Sequence, residues 1–252
     1  MMTISNGQSP PVVFIAQLGT GGDSWQPVIG LLTCSATTCT YDRPGTGTAP
    51  PRPAPNPPLP YSAFADELAA LLADHDVVEP VVVVGHSVGD LIVRVFASRY
   101  PDRVAGVVHI DGSIPRLNLW PAVMIPQSPD GDGPDATHFD ILAGEIEILD
   151  GQPLRVPSAV ISRTPGRWAS EWLPTKSDPL WTAYQRQLAR LWDAPRIIAT
   201  DAGHQIPDEA PRLVAHVIDR VVQAARTKQP FSFDEVTLGD VGGVVEHQPG
   251  DR

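Results

Sequence analysis

Val81 to Val84 form a run of four β-branched residues with no polar face, and the run closes on Gly85. A strand of this kind cannot leave either side in water, so it belongs in the middle of a sheet covered on both faces. That demand spreads to the rest of the chain. Such a strand suits the centre of a parallel sheet, where crossover helices usually supply the cover.

The surrounding sequence supplies such units in alternation. Residues 11–18 are apolar and β-branched and read as a buried strand, and "TTCTYD" is a second. Ser62 is placed to cap a helix over about 62–74, with Phe64, Leu68, Leu71 and Leu72 on one face. A helix over about 88–99 follows the valine run, and Pro101 marks its end. "VAGVVHID" (104–111), "VPSAVISR" and "PRIIAT" are further strands, and helices are expected over about 179–192 and 208–226. The pattern predicts an α/β fold with a mostly parallel sheet flanked by helices.

Two stretches interrupt it. "RPGTGTAPPRPAPNPPLPY" is barred by its prolines from helix and from central strand, and reads as an ordered surface loop. Residues 112–155 are rich in Pro, Gly and Asp and too long for an ordinary connection, so a cap or lid insertion is expected there, with one helix over about 137–149. Residues 1–228 are read as a single domain and 229–252 as a tail. In that tail 235–238 and 243–247 flank "GDVGG" and predict an edge hairpin, with a disordered tail as the alternative.

Composition narrows the function classes. Of the 252 residues 42% are hydrophobic, enough for a sizeable core, and the net charge of −11 argues against nucleic acid and anionic membrane as partners. The first residues lack the positive start and apolar stretch of an export signal, no run approaches a membrane span, and Cys34 and Cys39 read as reduced thiols. A cytoplasmic protein acting on a small molecule is the expectation. No Cys or His spacing suggests zinc.

Gly85, His86, Ser87, Val88 and Gly89 spell G-x-S-x-G between a strand and a helix, the context that gives the motif chemical meaning. Glycines two residues before and after the serine allow a tight turn that pushes its hydroxyl outward. The first N–H groups of the following helix favour negative charge developing nearby. The position suits a nucleophile; the plain alternative is a serine that caps a helix.

These residues resemble the α/β-hydrolase family, from about residue 11 to 225. "GHSVGDLIVRVFASRYPDRVAGVVHIDGS" is similar to its nucleophile turn, helix and next strand, and "YDRPGTG" to a structural turn. "VVFIAQLGTGGDSW" is similar to its oxyanion loop, and "DAGHQIPDEAP" to its histidine loop. The resemblance implies Ser87 as nucleophile and His204 as general base. It implies Asp111, at a strand end, as the acid that orients the base. Glu171 is the alternative acid, since the usual position after "VPSAVISR" has no carboxylate. It further implies oxyanion donors at the N–H groups of Leu18 and Val88, with Gln17 standing where glycine is usual. Arg43 is expected to brace loops, while Asp90 departs from the usual glycine. Family members often start with a hairpin, and too few residues precede "PVVFIA" to form one.

The expected activity is cofactor-independent hydrolysis of a carboxylic ester, thioester or lactone through an acyl-enzyme on Ser87. A non-hydrolytic enzyme of the same fold (lyase, acyltransferase or cyclisation catalyst) and a binding protein with a degenerate site are the alternatives. Trp120, Met124, Ile125 and Phe139 are candidates for an apolar acyl or ring pocket, with packing of a lid helix on the core as the alternative for all four, and the Gln17 amide is placed to touch substrate.

Overall fold

The structure is a computed structural model that describes residues 1–53, 57–114, 139–167 and 177–246. Its centre is an eight-stranded sheet in the order β1-β3-β2-β4-β5-β6-β7-β8. The strands are β1 (Met2–Ile4), β2 (Gln8–Ile15), β3 (Ala36–Tyr41), β4 (Val81–His86), β5 (Val104–Ile110), β6 (Ser158–Ser162), β7 (Arg196–Ala199) and β8 (Gly243–Val245). Only β1 and β8, at the two edges, run antiparallel to their neighbours.

The valine run behaves as its composition demands. It lies in β4, between β2 and β5, and its side chains part to opposite faces. Val81 and Val83 enter one apolar core with Phe64, Leu68 and Leu72 of α2 (Tyr61–Asp74) and Leu91, Ile92 and Phe96 of α3 (Val88–Arg99). Val82 and Val84 enter the other with Val28 of α1 (Gln26–Ile29) and Leu213, Val217 and Val221 of α7 (Pro211–Thr227). All four are fully buried, and each stabilises the fold by roughly 1.5–3 kcal/mol relative to an exposed side chain.

The chain passes from β2 outward to β3 and then returns to β4 on the other side of β2. The loops leaving the carboxyl ends of β2 and β4 therefore part from one another, and a crevice opens between them. Gln17 and Leu18 follow β2 and Ser87 follows β4, so the topology itself brings the predicted site residues to one place.

Several expectations are corrected in detail. α2 starts at Tyr61 after Pro60, and the Ser62 side chain does not cap it; the Ser62 N–H donates instead to Glu147 of α4 (Ile141–Asp150) at 2.9 Å. α4 begins where Asp140 accepts the Ala143 N–H, later than expected. The helix expected over 208–226 is two, α6 (Ile206–Glu209) and α7, because Pro211 has no N–H to continue the first. α5 spans Ser177–Trp192. The N-terminal residues do form a strand: β1 pairs with β3, needing no hairpin partner. In the tail, the first half of the expected hairpin is a helix, α8 (Glu235–Asp240), capped by Asp234. Only Gly243–Val245 joins the sheet edge, on β7. The Asp234 side chain competes successfully for the Thr237 N–H, which a strand would have needed for its ladder. No disulfide joins Cys34 and Cys39, and among the described residues no helix is long and apolar enough to cross a membrane.

Candidate active site

β4 delivers Ser87 in a backbone conformation that L-residues avoid, with φ 56° and ψ −120°, directly before the first residue of α3. Such strain persists only where surroundings enforce it. Here Ser87 N–H donates to the Ile110 carbonyl at 3.1 Å, and the Ser113 N–H donates to the Ser87 carbonyl at 3.1 Å. Gly89 allows the turn to press against the end of β2: a Cβ there would lie 2.3 Å from the Ile15 carbonyl oxygen.

His204 Nε2 stands 3.0 Å from Ser87 Oγ, and its Nδ1–H donates to Asp111 Oδ2 at 2.6 Å. The three side chains come from the ends of β4, β5 and the loop after β7, far apart in sequence and together in space. Asp111 has no solvent exposure and a positive φ of 40°. Its Oδ1 accepts from the Trp181 indole N–H at 2.8 Å and the Arg163 backbone N–H at 3.3 Å, and its Oδ2 also accepts from Arg163 Nη1 at 2.9 Å. Burial works to raise the Asp111 carboxyl, but the hydrogen bond and charge of His204, the Arg163 guanidinium and the Trp181 N–H outweigh it and hold the group below the usual carboxylate range.

His86, inside the turn, points away from the serine and donates Nε2–H to the His204 backbone carbonyl at 2.8 Å. Burial first, and the neighbouring His204 second, push its pKa from 6.5 down to about 3. A group whose folded pKa is depressed stabilises the fold above its unfolded value and loses that contribution as pH falls. Stability should therefore drop by about 1.4 kcal/mol per pH unit on His86's account between 6.5 and about 3. His86→Gln retains a donor and does not titrate. Urea melts between pH 7 and 5 should show a slope shallower by about one proton in that variant, and an unchanged slope would contradict the assignment.

The loop after β2 is held from beneath. Arg43, almost wholly buried, donates to the Ala16 carbonyl at 2.7 Å and the Gln17 carbonyl at 2.6 Å. Asp42 accepts N–H bonds from Gly22 and Thr48, so the "YDRPG" turn braces its surroundings as expected. Gln17 Nε2 donates to Gln205 Oε1 at 2.7 Å, which ties the β2 loop to the residue after His204. Asp90 Oδ1 lies 2.5 Å from His109 Nδ1, both side chains fully buried, and Gly112 leaves room for its other oxygen.

The substrate-pocket candidates fare differently. Phe139 is buried, stacks on Phe64 with ring centroids 4.3 Å apart and meets Tyr61 at 5.8 Å, which packs the residues before α4 against α2. Trp120, Met124, Ile125 and Glu171 lie outside the described residues. Sequence reading missed Arg163, Asp178 and Trp181. The signal for Arg163 was available: β5 and β6 are parallel with Ile110 beside Ile161, so residues just past both strand ends must share one edge.

A strained serine beside an imidazole, itself hydrogen-bonded to a buried carboxylate, is an arrangement able to activate a serine oxygen for attack on a carbonyl carbon. A family model described as the alpha/beta hydrolase fold matches residues 10–139, and the chain belongs to that family. Among curated proteins it is similar to one named as carbamate hydrolase RutD from Yersinia enterocolitica, 37% identical over 123 residues that cover 46% of this chain and 40% of that protein. The protein of the same name from Escherichia coli O1:K1 is 34% identical over 110 residues, 44% of this chain. The chain thus spans about 40% of the length of the curated relatives it matches. Among solved structures it resembles a thermophilic esterase from Thermogutta terrifontis, with TM-score 0.63 and 19% identity over 89% of this chain and 93% of that one. It also resembles the enol-lactonase from Burkholderia xenovorans LB400, with TM-score 0.59 and 22% identity over 90% of this chain and 96% of that one. The N-acyl homoserine lactonase AidH gives TM-score 0.64 and 15% identity over 92% of this chain and 95% of that one. These structures share the fold.

Proposed function

We propose that the protein is a serine hydrolase that cleaves a carboxylic ester, thioester or lactone of a small apolar acyl or ring compound through an acyl-enzyme on Ser87, without a cofactor. The observation that carries this reading is the continuous hydrogen-bonded line from Ser87 Oγ through His204 to Asp111. Ser87 Oγ attacks the carbonyl carbon while His204 Nε2 takes its proton. Asp111 fixes the imidazole with its Nδ1–H toward the carboxylate and stabilises the imidazolium. The tetrahedral intermediate expels the alcohol or thiol, which leaves with the proton from His204. Water then attacks the acyl-enzyme with His204 as base, and the acid departs.

The oxyanion is received by the N–H groups of Val88, which opens α3, and Leu18, on the loop that Arg43 holds. Each such donor lowers the barrier by about 3 kcal/mol. Arg43→Met takes the brace from under Leu18 and removes the guanidinium bonds to the Ala16 and Gln17 carbonyls. We expect kcat to fall about 100-fold with KM little changed, measured on the soluble variant. A kcat within twofold of the parent would show that the loop needs no brace.

A carbamate is a second substrate class, favoured by the similarity to proteins named as carbamate hydrolases. The same attack would give a carbamoyl-enzyme. Turnover of p-nitrophenyl acetate, a simple lactone and an aryl carbamate, each compared with Ser87→Ala, tests the reading and ranks the classes. Hydrolysis of at least one that vanishes in Ser87→Ala supports it. Hydrolysis of none returns the site to a lyase, transferase or cyclisation reaction on the same fold, and loss of the hydrolase reading.

A further inference from the structure

Asp111 Oδ2 accepts from His204 Nδ1 at 2.6 Å and from Arg163 Nη1 at 2.9 Å. One carboxylate oxygen therefore serves an imidazole and a permanently charged guanidinium at once. Arg163 is 2% exposed and Asp111 not at all, so water does little to screen the pair. The other end of the guanidinium, Nη2, donates to Asp178 Oδ1 at 3.1 Å, and its plane lies over the Trp181 ring at 4.7 Å. Trp181 in turn donates to Asp111 and stands edge-on to His204, with centroids 5.6 Å apart.

We propose that Arg163 and Asp178 are positioning residues for the base: by sharing the Asp111 carboxylate with His204, Arg163 sets how much of its negative charge the imidazole receives, and Asp178 offsets Arg163. The proposal rests on the serine-hydrolase reading for its catalytic meaning. The charges balance in a simple way. Asp111, Arg163 and Asp178 together carry one negative charge, so a protonated His204 makes the group neutral. Removing Arg163 leaves two negative charges facing the ring and favours the imidazolium. Removing Asp178 leaves Arg163 uncompensated and disfavours it. A strong hydrolytic base must be neutral at rest and charged only in the transition state, and Arg163 works in that direction.

Among the described residues, the other groups near His204 are engaged differently. His86 is held neutral at neutral pH, with its ring 5.0 Å away. Ser87 faces Nε2. Glu209 of α6 accepts the Gly203 N–H, and Asp201 is paired with Arg167 at the exposed start of the loop.

The test is titration of the His204 ring in the full chain by nitrogen NMR, assigned by its loss in His204→Gln, together with the acid limb of kcat/KM. Arg163→Met should move both upward by about one pH unit, Asp178→Asn downward by about half a unit, and Arg163→Lys should stay near the parent. Shifts of the same sign in the first two variants, or no shift in either, overturn the proposal. If Arg163→Met does not fold, Asp178→Asn decides alone, since its site is partly exposed: a downward shift supports the proposal and any other result refutes it. The ring titration needs no turnover. Failure to hydrolyse any ester would therefore remove the hydrolase reading while leaving the charge sharing separately measured.

Discussion

Ser87→Ala is expected to lower kcat for the best ester by about 10⁶-fold, to the residue of catalysis that binding and the oxyanion donors provide without a nucleophile. The change removes one oxygen. Ser87 Oγ meets His204 Nε2 at 3.0 Å and Ser113 Oγ at 3.3 Å, and neither contact holds the turn together. The turn is kept by backbone bonds to Ile110 and Ser113 and by the close approach of Gly89 to β2, all intact in the variant. Folding should therefore be unchanged within about 0.5 kcal/mol, and KM nearly so, while kcat collapses. Ser113 is the neighbouring hydroxyl with a chance to substitute. Residual activity above a thousandth of the parent, retained in Ser87→Ala and lost in a double variant with Ser113→Ala, would move the nucleophile to Ser113.

Asp111→Asn should cost about 10⁴-fold in kcat, and unlike the serine change it should also weaken the fold. Four N–H donors converge on the two carboxylate oxygens: Arg163 N, Arg163 Nη1, Trp181 Nε1 and His204 Nδ1. An asparagine offers one acceptor oxygen and an NH₂ group. Whichever way it turns, the NH₂ confronts a donor. Facing His204, it drives the imidazole to the tautomer with its proton toward Ser87, which cannot accept the hydroxyl proton. Facing the other way, it confronts the Trp181 indole N–H and the Arg163 backbone N–H, and in either orientation the neutral amide no longer offsets the Arg163 guanidinium, which is 2% exposed. Breaking a buried pair in this way destabilises by about 3–5 kcal/mol. Denaturant melts and steady-state kinetics on the same preparation separate the two losses. A variant with normal stability and normal kcat would show that Asp111 neither orients the base nor anchors the guanidinium.

The sheet was legible because β4 is extreme. Four valines require burial on both faces, and strands alternating with helices along the chain imply parallel neighbours and helical layers on either side. Ser87, His204 and Asp111 were reachable because each stands at a strand end or in the loop after one, where this topology collects side chains. The tail was misread for a local reason: Val236 and Thr237 favour strand, but Asp234 captures the Thr237 N–H and starts a helix. The packing of Phe139 on Phe64 was not legible, because an aromatic in a Pro- and Gly-rich insertion looks the same in sequence whether it lines a pocket or packs on a helix. Arg163 escaped notice because an arginine at a strand end normally reaches water; Asp111, Asp178 and the Trp181 ring beside it make its burial tolerable. Asp90, on α3, was opaque for the same reason, since its partner His109 is nineteen residues away on β5.

The account stands on one hydroxyl made nucleophilic by one imidazole. Treatment with a fluorophosphonate, followed by mass mapping of the adduct, tests this without knowledge of the natural substrate. The predicted result is a single phosphonylated peptide carrying the label on Ser87, formed in the parent and abolished in His204→Ala although Ser87 is still present. No adduct in the folded parent protein, or equal labelling with and without His204, would contradict it.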